Sequence, residues 1–364
     1  MVTTGKKTNW FMRPAAREWV HVHSPTSTGA RAFHQSLPRY EPTPLTSVPD
    51  LAEELGVRAV LVKDESSRLG LPAFKVLGAS WAVARAVAAR TGSSTDLGSL
   101  CAATAGSGLR LVTATDGNHG RAVAYMARLL GVSTTVFVPA VMTPAAFNAI
   151  AAEGADVVRT DLDYDAAVAA AARFAGDHPD RELVQDTAWD GYEQVPAWIV
   201  EGYDTMLAEV DEQLGATPDL VAIPVGVGSL AQAVIAHYRR PGDHPALLSV
   251  EPDTAACVLE SLLAGTAVSV STRATVMAGL NCGTVSSAAW PLLRAGCDAA
   301  VAVTDDEALK AVSDLGRLGV SAGPSGAATL ADVRVALAQP ERRRALRIDG
   351  DSTVVLLSTE GASR

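Results

Sequence analysis

The lysine at position 75 stands in a setting that favours chemistry. Lys75 lies between Phe74 and Val76 at the start of an otherwise apolar predicted helix, in a chain with only five lysines. Because burying an ammonium group costs several kcal/mol, burial lowers the pKa of such a lysine and favours the neutral amine that forms a Schiff base. Taken alone, a Phe-Lys pair is more often a surface lysine on an amphipathic helix, so other segments must support this hypothesis.

A polar turn at residues 112–120, with the sequence VTATDGNHG, is the second candidate segment. Its glycines let the backbone approach a ligand closely, and the helix that follows presents N–H groups suited to an anion such as a substrate carboxylate. Asp116 and His119 carry groups that move protons, and Asn118 offers an amide donor. The same composition is also typical of an Asx turn with a helix cap.

A glycine-rich segment at residues 225–231, with the sequence VGVGSLA, lies between a predicted strand and a predicted helix. Successive backbone N–H groups, the Ser229 hydroxyl and the helix N-terminus suit a phosphate. The segment also matches the dinucleotide pattern G-x-G-x-x-A, with Glu251 at the end of the next predicted strand. The pattern predicts a phosphate site but does not choose between a dinucleotide and another phosphorylated cofactor.

Composition limits the kinds of partner. The 364-residue chain has a formal net charge of −10, with 48% hydrophobic and 19% charged residues. This supplies a large core, and the acidic balance argues against non-specific binding to nucleic acid or an anionic membrane. No segment resembles a signal peptide or a membrane-spanning helix, and the four cysteines lack disulfide-scaffold or metal-site spacing. We expect a soluble cytoplasmic protein without a metal.

Short apolar strands alternate with helical periods along the chain, which predicts parallel sheets built from right-handed βαβ units. The first 45 residues and residues 91–108 lack this periodicity, so we expect an irregular lead-in and a surface loop there. Predicted strands cover residues 57–62, 109–114, 134–138, 155–159, 182–185, 220–224, 246–250 and 353–357. Predicted helices cover residues 74–90, 119–130, 164–175, 195–214, 229–239 and 305–318, and one more begins after Thr143.

The three candidate segments, in this order, resemble the tryptophan-synthase-like (fold type II) pyridoxal-phosphate (PLP) enzymes, and within them the diaminopropionate ammonia-lyases. The resemblance extends from about residue 63 to residue 361. It rests on the segments KDESSRLGLPAFKVLGAS, TATDGNHGRAVAYMARLLG, QDTAWDGYEQVPAWIVEGY, VGVGSLAQAV, VEPDTAAC, VMAGLNCG and LLSTEG. The resemblance favours PLP over a dinucleotide for the glycine-rich segment.

The resemblance implies a set of cofactor-binding residues. Lys75 would form the covalent link to PLP, with Phe74 beside it, and Asn118 would lie beside the phenolic oxygen. Ser358 would face the pyridine nitrogen, with Thr359 as the neighbouring alternative; a hydroxyl partner leaves the ring a weaker electron sink, which suits β-elimination. The phosphate would be bound by Gly226, Val227, Gly228, Ser229 and Leu230.

The same resemblance implies an α,β-elimination that converts 2,3-diaminopropionate to pyruvate and ammonia. Lys75, Asp116 and Asp186 would be the catalytic residues: the two carboxylates would remove an α-proton from either face or hold the β-ammonium group of the substrate. Asp186 also fits a simple cap after a strand. Residues Thr115, Asp116, Gly117 and His119 would bind the substrate.

Departures from the family keep alternatives open. Pro324 stands where relatives often carry Glu, which favours a second hypothesis, a β-replacement or dehydratase enzyme acting on a serine- or threonine-like substrate. Remoter alternatives are an NAD(P)-dependent oxidoreductase that uses the glycine-rich segment and a non-catalytic PLP-binding protein. Cys257 and Cys282 match a cysteine pair of the family, which leaves a disulfide or two thiols open.

The expected fold is α/β, with two open, mostly parallel twisted sheets that carry helices on both faces. We predict a large PLP-binding domain formed by residues 1–80 and 195–364, and a small domain, residues 81–194, that closes over the substrate. The resemblance further implies a homodimer whose only other partner is a small amino acid.

Overall fold

The computed structural model describes residues 9–22, 28–161, 164–242 and 244–362. Internal contacts divide the chain into two compact units. The first unit comprises Met1–Ser24, Pro44–Ser66 and Val210–Arg364, and the second comprises Pro25–Thr43 and Ser67–Glu209. The second unit contains all of residues 81–194 and extends beyond them at both ends, whereas a small domain with those limits that closes over a substrate stays a prediction.

Within the described residues, the elements alternate as the sequence predicts. The strands are β1 (Trp10–Met12), β2 (Leu45–Ser47), β3 (Ala59–Asp64), β4 (Arg110–Ala114), β5 (Ser133–Val138), β6 (Asp156–Arg159), β7 (Arg181–Leu183), β8 (Leu220–Pro224), β9 (Ala246–Pro252), β10 (Ala299–Val303) and β11 (Thr353–Ser358). The helices are α1 (Thr28–Ser36), α2 (Pro49–Leu55), α3 (Lys75–Thr91), α4 (Leu97–Thr104), α5 (Asn118–Leu130), α6 (Pro144–Ala151), α7 (Tyr164–Gly176), α8 (Gln194–Leu214), α9 (Ser229–Tyr238), α10 (Cys257–Ala264), α11 (Trp290–Gly296), α12 (Asp305–Arg317), α13 (Pro324–Leu337) and α14 (Pro340–Ala345).

The first unit is built on a seven-stranded sheet in the order β1-β10-β9-β8-β11-β3-β2. The central strands pair in parallel, and the edge strands β1 and β2 pair antiparallel with β10 and β3. Strands β8, β9, β10 and β11 are buried along their whole length, which explains their nearly continuous apolar sequences. Helix α13 is buried along most of its length in the core of this unit.

The second unit is built on a four-stranded parallel sheet in the order β6-β5-β4-β7. Val112 and Ala114 of β4 share a core with residues of α7, whereas Val136 and Val138 of β5 share a separate core with Ile150 of α6. Successive strand residues point to opposite faces, so these two cores place helices on both faces of the sheet. The predicted fold class, two mostly parallel sheets with helices on both faces, is confirmed.

Two sequence-based expectations about irregular segments are wrong. The surface loop predicted for residues 91–108 contains helix α4, whose N-cap Asp96 accepts a hydrogen bond from the Ser99 N–H. Leu100 is fully buried, so packing stabilises a helix whose Gly98 and Ser99 give it little intrinsic propensity. The irregular lead-in predicted for the first 45 residues, which lies partly outside the described residues, contains strand β1 and helix α1.

No helix in the described part of the chain combines the length and the apolar character that crossing a bilayer requires.

Candidate active site

Lys75 is the first residue of α3 and forms an ion pair with Asp186. The Lys75 Nζ lies 2.7 Å from Asp186 Oδ2, and the side chains are only 22% and 6% exposed. Phe74, the N-cap residue, is buried and follows the polar turn that ends β3 and leads into the helix. The structure therefore brings two of the three predicted catalytic residues into direct contact, although they are 111 positions apart.

The ion pair reverses the pKa shift expected for Lys75. Burial alone lowers the pKa of Lys75, but the Asp186 carboxylate outweighs it, so the pKa lies above its usual range. Burial alone likewise raises the pKa of Asp186, and the Lys75 ammonium outweighs it and holds that pKa below its usual range. The expectation of a lysine neutralised by burial is wrong here, because sequence alone does not show the partner carboxylate.

Gln185 orients the Asp186 carboxylate. The Gln185 side-chain amide donates to Asp186 Oδ1 at 3.3 Å, and its Oε1 accepts from the Thr113 hydroxyl at 3.2 Å and from the Ala114 N–H at 3.0 Å. Thr113 and Ala114 are the last residues of strand β4. The sheet therefore holds the Gln185 side chain in position, and Gln185 in turn orients the Asp186 carboxylate.

His119 lies buried near the same carboxylate. Its Nε2 is 2.9 Å from the Val184 carbonyl oxygen, which can only accept, so Nε2 carries the proton. Burial lowers the pKa of His119, and the ring is therefore neutral. Its Nδ1 keeps a lone pair, has no hydrogen-bond partner in the described structure and lies 3.9 Å from Asp186 Oδ2. Nδ1 is thus a proton acceptor, and a small movement of the His119 ring would bring it within hydrogen-bond distance of a proton carried near Asp186.

The turn between β4 and α5 is held by the Thr115 hydroxyl. Thr115 Oγ1 accepts from the Gly117 N–H at 2.9 Å and from the Gly120 N–H at 3.0 Å. A Cβ at Gly120 would lie 2.3 Å from Thr115 Cγ2, so only glycine fits there. Asp116 is exposed in this turn, and its charge helps to raise the pKa of Lys75. Asn118 is the first residue of α5.

In the first unit, the glycine-rich segment forms a tight loop between β8 and α9. A Cβ at Gly226 would lie 3.0 Å from the Gly279 carbonyl oxygen, and Gly228, with φ +101°, adopts a left-handed conformation that suits glycine. The loop ends at the N-terminus of the ten-residue helix α9, whose first residues Ser229 and Leu230 are buried. Packing against residues 279–293 thus requires glycine at both positions, and the loop leads directly to the N–H groups that begin α9.

Ser358 and Thr359 lie at the end of β11 in the same unit. Ser358 is fully buried, and its hydroxyl has no hydrogen-bond partner in the described structure. A Cβ on Gly326 of α13 would lie 2.9 Å from Ser358 Oγ, so glycine leaves room for the hydroxyl. Thr359 is also buried. The Ser358 hydroxyl is therefore a buried hydrogen-bond donor that a bound group with an acceptor atom can satisfy.

A carboxylate that the sequence analysis missed lies beside Pro324. Glu360 Oε1 accepts from the Ser325 N–H at 3.2 Å, and a Cβ on Gly323 would lie 2.9 Å from the same oxygen. The start of α13 therefore has an acidic neighbour, although the resemblance leads one to expect the acidic residue at position 324 itself. The sequence held one sign of this contact. Gly323 precedes the helix-opening Pro324, and a glycine there leaves the space that the Glu360 side chain fills.

None of the four cysteines, all among the described residues, is part of a disulfide, so Cys257 and Cys282 are not bonded to each other here. Cys282 Sγ would lie 3.1 Å from a Cβ on Gly226 of the glycine-rich loop, and burial raises the pKa of Cys257 above its usual range. In the described part of the chain, no group of three or more His, Cys, Asp or Glu side chains is placed to hold a metal ion.

Comparison with known proteins decides the family. Residues 37–360 match the family described as "Pyridoxal-phosphate dependent enzyme". The chain belongs to this family.

Within the family, the similarity to diaminopropionate ammonia-lyases is extensive. The diaminopropionate ammonia-lyase of Escherichia coli strain K12 is 36% identical over 352 residues, covering 91% of this chain and 87% of the relative. A crystal structure of the Escherichia coli enzyme in complex with an aminoacrylate–PLP azomethine reaction intermediate superposes with a TM-score of 0.84, covering 92% of this chain and 88% of that one. The L-threonine ammonia-lyase of Geobacter sulfurreducens is 30% identical over 224 residues, covering 61% and 53%. The predicted resemblance is confirmed.

The residues of this PLP-family chain fit the cofactor. The α9 N-terminus and the side-chain-free loop at Gly226 and Gly228 suit its phosphate. The buried, unpartnered Ser358 hydroxyl suits a ring nitrogen as acceptor, and Lys75 suits its aldehyde. PLP is therefore the cofactor, as the sequence predicted; the particular role of each residue stays a prediction.

The dinucleotide alternative is not supported. In a dinucleotide site, the acidic residue that ends the second strand binds a ribose hydroxyl. Here Glu251, which stands at that place, is buried and accepts from the Val258 and Leu259 N–H groups at 2.8 and 2.7 Å, at the start of α10. The carboxylate stabilises a helix terminus and has no exposed oxygen to offer a ribose.

Proposed function

We propose that this protein is a PLP-dependent ammonia-lyase that acts on 2,3-diaminopropionate. The reaction removes the α-proton and expels the β-amino group as ammonia, which leaves 2-aminoacrylate. 2-Aminoacrylate tautomerises to an imine, and water releases pyruvate and a second ammonia. One diaminopropionate and one water thus give one pyruvate and two ammonia.

The observation that carries this proposal is the Lys75–Asp186 ion pair in a chain 36% identical to a diaminopropionate ammonia-lyase over 91% of its length. An elimination from a diamine needs a base for the α-proton and a proton for the departing amine. A lysine and a carboxylate 2.7 Å apart can exchange one proton between them. Asp116, whose charge acts on Lys75, is a second carboxylate for the same work.

When bound, PLP supplies an electron-withdrawing ring that makes the α-proton acidic. The protein's residues move the protons and bind the substrate and the cofactor. Lys75 accepts the α-proton as a neutral amine, and Asp186 stabilises the ammonium that results. The exposed Asp116 carboxylate binds the cationic β-amino group of the substrate. Ser358 donates a hydrogen bond to the cofactor ring, and the N–H groups of the glycine-rich loop bind the phosphate.

A panel of amino acids with β-leaving groups tests the proposal, with pyruvate and ammonia measured separately. We expect diaminopropionate to react fastest and to yield two ammonia for each pyruvate. Reduction with borohydride followed by peptide mass spectrometry should find a pyridoxyl group on Lys75, and Lys75→Ala should carry none. Diaminopropionate that reacts no faster than serine would refute the substrate, and a label on another residue would refute the site.

A dehydratase or β-replacement enzyme acting on serine or threonine is the second candidate. The observation that favours it is the 30% identity to an L-threonine ammonia-lyase, together with Pro324. The similarity covers 61% of this chain, against 91% for the diaminopropionate ammonia-lyase, so the first candidate is better supported. In the panel, this candidate predicts fast turnover of serine or threonine with one ammonia for each keto acid.

We also propose that the protein acts in the cytoplasm and as a homodimer. Four cysteines that remain free thiols suit a reducing compartment. Light scattering coupled to size-exclusion chromatography tests the oligomeric state: a mass of one chain at micromolar concentration would contradict the dimer. Fractionation of the source cells tests the compartment.

A further inference from the structure

We propose that Tyr203 of α8 is a positioning residue that holds the Lys75 ammonium through its phenolic hydroxyl. The inference rests on the proposed role of Lys75 and extends it to the last residue of the segment QDTAWDGYEQVPAWIVEGY, to which neither the motif nor the family match gives a role. Tyr203 is fully buried, and its hydroxyl makes no hydrogen bond of ordinary length and angle in the described structure. A buried hydroxyl left so poorly paired costs about 1–3 kcal/mol. Its interaction with Lys75, which acts on the pKa of Tyr203 as a hydrogen bond, offsets that cost.

Two glycines let the phenol ring pack against the first turn of α3, which carries Lys75. A Cβ on Gly78, three residues after Lys75 on α3, would lie 2.6 Å from Tyr203 Cε1, and a Cβ on Gly202 would lie 2.5 Å from the Leu77 carbonyl oxygen. Helices α3 and α8 therefore approach each other at a distance that only glycines allow. On its other side, the Tyr203 ring packs against Phe74 with centroids 4.7 Å apart.

His34 fixes the same turn of α3. Its Nε2 lies 2.9 Å from the Leu77 carbonyl oxygen, and its Nδ1 lies 2.8 Å from the hydroxyl of Thr205, two residues after Tyr203. Burial lowers the pKa of His34 to about 3, so the ring stays neutral and the bridge between the two helices does not change with pH near neutrality. The backbone around Lys75 and Tyr203 is thereby held rigidly.

The electrostatic relation between the two side chains points to the hydroxyl's role. Burial raises the pKa of Tyr203 to about 12, and the Lys75 charge opposes that rise. A hydrogen bond between Lys75 and the phenol also acts on the pKa of Tyr203. The phenol is therefore neutral near pH 7, and its oxygen is an acceptor for a second N–H of the ammonium, while Asp186 accepts the first. Such hydrogen bonds often tighten only during turnover.

This role makes a prediction in which two rates change in opposite directions. Attachment of PLP needs the neutral Lys75 amine, and the hydroxyl stabilises the ammonium, so Tyr203→Phe should accelerate attachment near pH 7.5. Turnover needs Lys75 held in place, so the same variant should lower kcat about 10- to 100-fold, the effect of one hydrogen bond to a charged group. The limb of the kcat–pH profile that reports Lys75 should move to lower pH.

The attachment rate is measured with full-length enzyme freed of cofactor, from the growth of the visible absorbance band after PLP is added. Asp186→Asn is the positive control and should accelerate attachment more strongly, because Asp186 is the larger cause of the raised pKa of Lys75. Tyr125→Phe, which removes a hydroxyl from a buried tyrosine of α5 in the same unit, should change neither rate.

The outcomes separate the possible failures. A Tyr203→Phe enzyme that attaches PLP and turns over as fast as wild type would overturn the positioning role. Slower attachment together with slower turnover and a lower melting temperature would mean that Tyr203 only packs, which also overturns it. If borohydride trapping finds no pyridoxyl group on Lys75 of the wild-type enzyme, the proposed site itself is wrong.

Discussion

The guanidinium of Arg68 and the carboxylate of Glu209 form a two-pronged ion pair, with both N–O distances 2.7 Å and neither side chain more than 1% exposed. The Thr43 hydroxyl accepts a further Arg68 N–H at 2.9 Å, and the Tyr40 hydroxyl donates to Glu209 at 2.8 Å. The pair thus ties the polar segment that precedes Lys75 to helix α8. A buried pair satisfied in this way is costly to break, because removing one partner leaves an uncompensated charge.

The Arg68–Glu209 pair predicts an asymmetry between single and double variants. Arg68→Met alone should lower the free energy of unfolding by about 3–5 kcal/mol, because Glu209 is then buried and unpaired. Arg68→Met combined with Glu209→Leu should recover most of that loss, since no buried charge remains. Urea denaturation followed by circular dichroism measures both, with the exposed pair Arg110→Met and Asp156→Leu as the control. A double variant no more stable than the single one would contradict this account.

The packing of Gly78 predicts that a residue with better helix propensity destabilises α3. Gly78→Ala should lower the melting temperature, because the added Cβ would lie 2.6 Å from the Tyr203 ring and 2.7 Å from Ile199 Cγ2. Gly316→Ala on α12 is the matched control, because nothing lies within 4 Å of a Cβ there. That substitution should stabilise the protein slightly by improving helix propensity. Equal effects of the two alanines would show that α3 and α8 have room to separate.

Ser358 and Thr359 make distinguishable predictions for cofactor binding. Ser358→Ala should weaken PLP binding about 10-fold, the value of one hydrogen bond, and should leave stability without cofactor unchanged or slightly raised, because the hydroxyl lacks a partner. Thr359→Val should leave the affinity unchanged. Titration of cofactor-free enzyme with PLP, followed by tyrosine and tryptophan fluorescence, measures both. The reverse pattern would assign the cofactor ring to Thr359.

Asp332 predicts a loss of stability as the pH rises. This α13 residue is fully buried, both carboxyl oxygens lack hydrogen-bond partners in the described structure, and burial raises its pKa well above the usual range. A pKa raised on folding gives stability that is complete below the unfolded-state pKa, about 3.9, and declines as the pH rises toward the folded-state pKa. Wild type should therefore lose stability as the pH rises above about 4 in a way that Asp332→Asn does not.

The measurement for Asp332 is urea denaturation of both proteins at several pH values. The Asn variant should gain on wild type by up to about 1.4 kcal/mol for each pH unit above the unfolded-state pKa of aspartate, because it has no proton to lose. Asp351→Asn, at an exposed position, is the control and should show no such trend. A constant difference between Asp332→Asn and wild type across the range would mean that the carboxyl group does not titrate on unfolding.

The fold was largely predictable from sequence, because its strands are buried and its helices follow the 3.6-residue period. Strand β8 has the predicted limits, and Thr143 caps α6 through the Ala146 N–H as its position before Pro144 predicts. Helix α4 was missed because tertiary packing, and not propensity, stabilises it. Helix α13 was missed although Pro324 opens it, because its small residues give hardly any amphipathic period.

The candidate site was predictable residue by residue but not as an arrangement. The motifs identified Lys75, Asp186 and Ser358 as candidate site residues. Only the structure shows that Lys75 and Asp186 form an ion pair and that the Asp186 charge reverses the pKa shift expected for Lys75. Tyr203 carried a signal, the glycines at 78 and 202, but small residues on two helices become informative only when the helices are known to touch.

The Lys75–Asp186 ion pair also bears on which aldehydes the protein accepts. An ammonium is not a nucleophile, so sugars and other metabolic carbonyl compounds, which react with neutral amines, meet an inert group at residue 75. A carbonyl compound that stays beside Lys75 through contacts of its own remains long enough to meet the rare neutral form. The carboxylate thereby lowers the reactivity of this lysine toward carbonyl compounds that only collide with it.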